Sequence, residues 1–168
     1  YRGYDSAGIS ILENEKLLTV KKKGKVSELS RLLKSNGYSA TIGIAHTRWA
    51  THGYPDDINA HPHNDNSGNI SIIHNGIIEN YVLLKQKLLQ SGYTFKSETD
   101  TEALAVLIGA WHKQVKNLEE AVRLALNEVE GTFGVLVLSS YEPDKIIAAR
   151  RGSPMVIGVG EDEYVIAS

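Results

Sequence analysis

Between Ile44 and Asn80 the chain concentrates side chains that bind, orient or donate. HTRWATHG starts at His46, NAHPH at Asn59 and HNGIIEN at His74. His46, His52, His61, His63 and His74 all fall in this stretch, with Arg48, Trp49, Thr47, Thr51 and the pair Asn75-Gly76. The imidazoles admit two readings. Two or three of them with a carboxylate would make a zinc or iron site. Alternatively, they fix loops by hydrogen bonding to backbone. No H-E-x-x-H or comparable ligand spacing occurs. Arg48 beside Thr51 and His52 has the fork that holds a carboxylate bidentately, unless it serves a structural ion pair. Asn75-Gly76 is either a hairpin turn or an oxyanion hole. In the second case the Asn75 amide and the Gly76 N–H would aim at one developing negative charge. Glycine there lets backbone approach a ligand closely. Asp100 stands where a helix begins, which suits a carboxylate in any case; the alternative role is to hold an ammonium group. A carboxylate binder, an ammonium binder and an oxyanion hole describe a site for an α-amino acid with a reacting acyl group. The missing part is a nucleophile, and a cysteine nucleophile is excluded within these residues, which contain no cysteine.

The elements must bring these groups together. Apolar runs end where the polar groups begin, TIGIA before His46 and NISII before His74. This predicts strands that deliver the site to loops at their ends. Ala7 to Leu12 and Leu17 to Lys23 read as strands joined by a turn at residues 13–16. Val26 to Lys34 carries apolar residues on one helix face, stopped by Asn36-Gly37. Thr41 to Ala45 is a short strand, followed by a long loop from Thr47 to Asn69, a length typical of functional loops. Asn69 to His74 is the next strand. Asn80 is placed to cap a helix from Tyr81 to Gln90. Thr99 and Glu102 have capping-box spacing, which predicts a largely buried helix from Asp100 to about His112. Asn117 with Glu120 opens a helix to about Val129. Strands then read at 132–139, 145–149, 155–159 and 164–167. Strands, helices and strands in that order, without βαβ alternation or G-x-G-x-x-G, predict an α+β domain with antiparallel sheets.

Composition sets bounds on this reading. A chain of 168 residues has the size of one domain. The formal charge of −2 gives no reason to expect nucleic acid or an anionic membrane as partner. The basic cluster Lys21, Lys22, Lys23, Lys25 reads as a solvated strand end. No apolar run approaches the roughly 20 residues of a membrane span. Without cysteine there is no disulfide and no zinc-thiolate site.

Six segments, YRGYDSAG, HTRWATHG, NAHPH, HNGIIEN, SETDTE and ARRGSPMVIG, run in order along the chain. Together they resemble the glutaminase domain of the glucosamine-6-phosphate synthases, which are class II glutamine amidotransferases. The resemblance covers Tyr1 to Ser168. It implies an N-terminal-nucleophile hydrolase fold, a four-layer αββα sandwich of two antiparallel sheets. It implies hydrolysis of L-glutamine to glutamate and ammonia in the cytoplasm, with no metal or organic cofactor. In the whole enzyme, expected to be a homo-oligomer, sugar isomerase domains would use the ammonia to make glucosamine 6-phosphate from fructose 6-phosphate. Residue by residue, Arg48, Thr51, His52 and Asp100 match glutamine-binding positions. Asn75 and Gly76 match the oxyanion hole, Arg2 and Gly3 lie at positions beside the nucleophile, and Trp49 matches the ammonia-channel gate. The family's nucleophile is an N-terminal cysteine whose own α-amine, with a pKa of about 7.7–8.0, serves as general base. That cysteine lies on a first strand, leading into a first helix, about two dozen residues before Tyr1. The expectation is therefore a glutaminase domain spanning residues 1–168, truncated at both ends and inactive as these residues stand. The alternative is an amino-acid-binding regulatory module that kept the pocket without the nucleophile.

Overall fold

A computed structural model describes residues 4–49 and 54–168. Arg2, Gly3, Thr51 and His52 lie outside the described residues. The elements run β1 (Ser6–Glu13), β2 (Lys16–Lys23), α1 (Val26–Asn36), β3 (Gly43–Arg48), β4 (His63–Asn64), β5 (Ile70–Ile78), α2 (Tyr81–Gln90), α3 (Asp100–Val115), α4 (Leu118–Asn127), β6 (Gly131–Ser139), β7 (Ile146–Arg151), β8 (Val156–Val159) and β9 (Tyr164–Ala167).

Two antiparallel sheets stack, in the orders β2-β1-β3 and β4-β5-β6-β7, and β8 and β9 form a separate hairpin. The helix α1 packs on β1 and β2, while α3 packs on β5 and is flanked by α2 and α4. The layering is that of the N-terminal-nucleophile hydrolase sandwich.

Most apolar burial lies between the second sheet and the helices. Ile70, Ile72 and Ile78 of β5 and Val135 and Val137 of β6 meet Leu104 and Ile108 of α3 and Leu118 and Val122 of α4. Each such side chain contributes about 1.5–3 kcal/mol on leaving water. Between the sheets the core is smaller: Ile44, Ile73 and Leu138, with Leu17, Leu136 and Ile146 packed against them. The helix α3 is buried almost all round from Asp100 to Ile108, as its unbroken apolar run requires. Thr99 caps it by accepting from the Glu102 N–H. The Glu102 carboxylate does not complete the capping box. It accepts from the backbone N–H groups of Lys96 and Ser97 and from the Ser97 hydroxyl, tying down the approach to the helix.

Several expectations are corrected. The strand β3 continues through His46 and Thr47 to Arg48, because it pairs with β1 as far as Ser6↔Arg48. The long loop therefore starts later and contains the short strand β4. The strand β5 runs on through Asn75-Gly76 to Ile78, with Asn75 opposite Gly134 and Gly76 opposite Phe133. Asn75-Gly76 is thus not a turn, and the polar groups sit on strands rather than beyond their ends. Asn80 precedes α2 but makes no side-chain cap. Its amide spans to the Glu128 carbonyl and the Glu130 N–H, joining α2 to the entry of β6. The helix α3 extends one turn beyond His112, to Val115. The lysine cluster is only partly solvated. Lys21 is half-buried and donates to the Ile58 carbonyl at 2.8 Å, and Lys22 pairs with Asp57 at 3.2 Å. Burial pushes the Lys21 ammonium down to about 8. These contacts hold the segment after Tyr54 against β2.

Candidate active site

Strand alternation aims the site residues. On β3, Ile44, His46 and Arg48 share the face that meets the second sheet. Ile44 fills the inter-sheet core, and the next two positions are polar as the strand reaches the cavity. On β5, Ile73 and Asn75 point toward the first sheet, while His74 points toward α3. The start of α3 brings Asp100 and Thr101 to the same place. Arg48, Trp49, Asn75, Gly76 and Asp100 all line one cavity of about 470 Å³. Of the site residues proposed from sequence, all five that are described are brought together.

Their environments differ. Arg48 is 3 % exposed and lies 3.9 Å from Asp5, whose backbone N–H donates to the Arg48 carbonyl at 2.9 Å. The ion pair is present, and the same arginine lines the cavity. Asp100 is 4 % exposed and accepts the Ile78 N–H at 2.9 Å. Its place in the first turn of α3 favours the negative charge. Asn75 is exposed to the cavity, and its amide donates to the Ser168 hydroxyl at 3.2 Å. Gly76 has φ 144°, and a Cβ there would lie 2.1 Å from the Thr132 carbonyl oxygen. That close approach explains the glycine. Trp49 is 62 % exposed.

The histidines form a hydrogen-bonded cluster with threonines. His61 Nε2 lies 2.9 Å and His74 Nδ1 3.1 Å from Thr101 Oγ1, and His63 Nε2 lies 3.1 Å from Thr99 Oγ1. The His46 and His61 rings are 4.5 Å apart. Burial pushes His61 and His63 well below the usual imidazole range, with neighbouring His46 and Lys21 adding to it respectively. Burial, with His74 and Arg48 beside it, pushes His46 down to about 4. Burial also lowers His74, against the opposing pull of Asp100. Among the described residues no three His, Cys, Asp or Glu side chains converge as metal ligands. Threonine hydroxyls are partners the sequence did not suggest, and backbone takes part as expected: His74 Nε2 faces the Thr132 carbonyl at 3.4 Å and His63 bonds to the Asn59 backbone. Thr101, Met155 and Ser168 also line the cavity and were not singled out from sequence. The T-D-T spacing at 99–101 is the signal that offers two hydroxyls beside one carboxylate.

A family model described as a glutamine amidotransferase domain matches residues 46–168. The chain belongs to the glutamine amidotransferase family. Over its full length it is 57% identical to the glutamine–fructose-6-phosphate aminotransferase (isomerizing) of Chlorobaculum tepidum and 54% identical to that of Bacteroides thetaiotaomicron. It spans 28% of the length of each of these relatives. Among solved structures it is similar to the glutamine phosphoribosylpyrophosphate amidotransferase of B. subtilis, complexed with ADP and GMP. That similarity has a TM-score of 0.80 at 28% identity, over 98% of this chain and 35% of that one. No helix of the described residues is long and apolar enough to cross a membrane.

Proposed function

We propose that this chain is the glutamine-hydrolysing domain of an enzyme that makes glucosamine 6-phosphate from fructose 6-phosphate and glutamine. The supporting observation is one cavity lined by a buried arginine, a buried aspartate and the Asn75-Gly76 pair. Arg48 binds the α-carboxylate of L-glutamine, with Thr51 and His52 beside it, and Asp100 binds the α-ammonium group. Asn75 Nδ2 and the Gly76 N–H hold the oxyanion formed when a nucleophile adds to the side-chain amide. Arg2 and Gly3 flank that nucleophile, and Trp49 gates the route of the ammonia. The nucleophile is an N-terminal cysteine preceding these residues. Sugar isomerase domains receive the ammonia in a cytoplasmic homo-oligomer.

The reading is tested in a chain that carries the cysteine segment. The oxyanion exists only along the reaction, so its donor raises kcat and leaves ground-state binding nearly unchanged. Asn75→Asp faces that charge with a carboxylate and should cut kcat by roughly 10²-fold or more, with KM for glutamine little changed. Arg48→Ala and Asp100→Ala should show the other pattern, a large rise in KM, because each leaves its substrate charge unpaired. Near-normal kcat in a folded Asn75→Asp protein would return Asn75 to a purely structural role.

A further inference from the structure

Three groups meet at one hydroxyl. Thr101 Oγ1 lies 2.9 Å from His61 Nε2, 3.1 Å from His74 Nδ1 and 3.4 Å from Asp100 Oδ1. A threonine hydroxyl has one proton to give and two lone pairs to offer. The other end of His74 decides where that proton goes. His74 Nε2 faces the Thr132 carbonyl at 3.4 Å, and a carbonyl only accepts, so Nε2 carries the hydrogen. In the neutral ring Nδ1 is then bare and accepts from the Thr101 hydroxyl, which lies closer to it, at 3.1 Å, than to its other acceptor, Asp100 Oδ1, at 3.4 Å. The hydroxyl oxygen in turn accepts from His61 Nε2–H. His61 Nδ1 is left as the bare end of the chain, buried and without a hydrogen-bond partner among the described residues. The direction is His61 to Thr101 to His74 to Thr132.

We propose that Thr101 is a positioning residue for substrate binding: by donating to His74 Nδ1 it holds His74 as the neutral Nε2–H tautomer, so that Asp100 keeps its charge for the substrate's ammonium group. This rests on the assignment of Asp100 to the ammonium group. His74 Nδ1 is 3.9 Å from Asp100 Oδ2. A proton on Nδ1 would turn that approach into an ion pair and draw the carboxylate from the cavity. The proton would also reverse the bond to Thr101, whose hydroxyl would swing to Asp100 Oδ1. Among the described residues, the charged and titratable groups that face His74 are Asp100 from α3, His46 from β3 and His61 from the segment before β4, with Arg48 of β3 next to His46. Of these only Asp100 favours a charged ring. Thr101 opposes it by filling Nδ1 with a donor.

The test uses the enzyme with its cysteine segment in place and L-glutamine as substrate. Thr101→Val removes the hydroxyl at nearly constant shape. KM for glutamine should rise roughly 3- to 10-fold, the change one net hydrogen bond supports, with kcat nearly unchanged. The rise should be larger at pH 6 than at pH 8. Thr101→Ser should restore the parent KM. Nitrogen-15 NMR of the unsubstituted protein should show His74 as the Nε2–H tautomer at pH 7, and this holds even if the valine variant does not fold. An Nδ1–H tautomer, an unchanged KM in Thr101→Val, or a serine variant as impaired as the valine one would overturn the proposal. Asp100→Asn separates the two assignments. If it leaves KM unchanged, the ammonium role of Asp100 fails. If it raises KM while Thr101→Val does not, only the role of Thr101 fails.

Discussion

His46, His61, His63 and His74 are held neutral by burial, and three of them spend a nitrogen on a threonine hydroxyl. Each has a folded-state pKa below its unfolded value of about 6.5. Above that pH both states are neutral and the histidines add no pH dependence. As pH falls below it, the unfolded chain takes up protons that the folded chain refuses. Stability then drops by up to about 1.4 kcal/mol per pH unit for each histidine, until the folded group itself titrates. For His46 that limit is about 4. The window from pH 6.5 to about 5 lies above the carboxylate range, so the histidines dominate it. Urea midpoints should therefore fall steeply between pH 7 and pH 5, and an unchanged midpoint would contradict the cluster as described. At this scale the sequence exposed the residue types but not their partners. Arg48 was legible as a carboxylate binder or an ion-pair member, and its partner Asp5 is 43 positions away along the chain. Only the β1–β3 register brings the two together.

The strand β5 shows where sequence patterning stops at the element scale. Its apolar run ends at Ile73, and HNG reads as the end of a strand. The pairing with β6 nevertheless carries it four residues beyond His74, to Ile78. Alternation within that extension puts His74 toward α3 and Asn75 toward the cavity, which Gly76 also lines, so the extension itself builds the site. Gly76 is the residue this geometry depends on. Its φ of 144° disfavours any side chain, and a Cβ would collide with the Thr132 carbonyl at 2.1 Å. Gly76→Ala should cost on the order of 3 kcal/mol or more and lower Tm by roughly 6–12 °C in a chain of this size. Differential scanning calorimetry checks this, and a Tm within a degree or two of the parent would show that the β5–β6 pair tolerates a Cβ there. Helix positions were easier to read. Thr99 and Asn117 cap α3 and α4 through the N–H groups of Glu102 and Glu120, and Gly37 ends α1 in the left-handed conformation. These are local signals, whereas the failed Asn80 cap reflects a tertiary demand from residues 128–130.

For the whole molecule, one cavity is lined by side chains of opposite charge, Arg48 from β3 and Asp100 from α3, with Asn75-Gly76 from β5 between these elements in the chain. The order of strands and helices made the α+β class legible. The stacking was not, because a core as small as Ile44, Ile73 and Leu138 leaves no separate signature in the pattern. These 168 residues contain no cysteine. As an isolated polypeptide they should release no ammonia from glutamine above the small residual that binding and an oxyanion hole provide. A coupled glutamate assay giving turnover of ~1 s⁻¹ or faster would contradict that. The most direct measurement is a crystal structure of the cysteine-bearing protein with L-glutamine bound. The account predicts the α-carboxylate on the Arg48 guanidinium and the α-ammonium group on the Asp100 carboxylate. It places the side-chain carbonyl oxygen within about 3 Å of Asn75 Nδ2 and the Gly76 N–H. Glutamine bound in the reverse orientation, or outside this cavity, would contradict it.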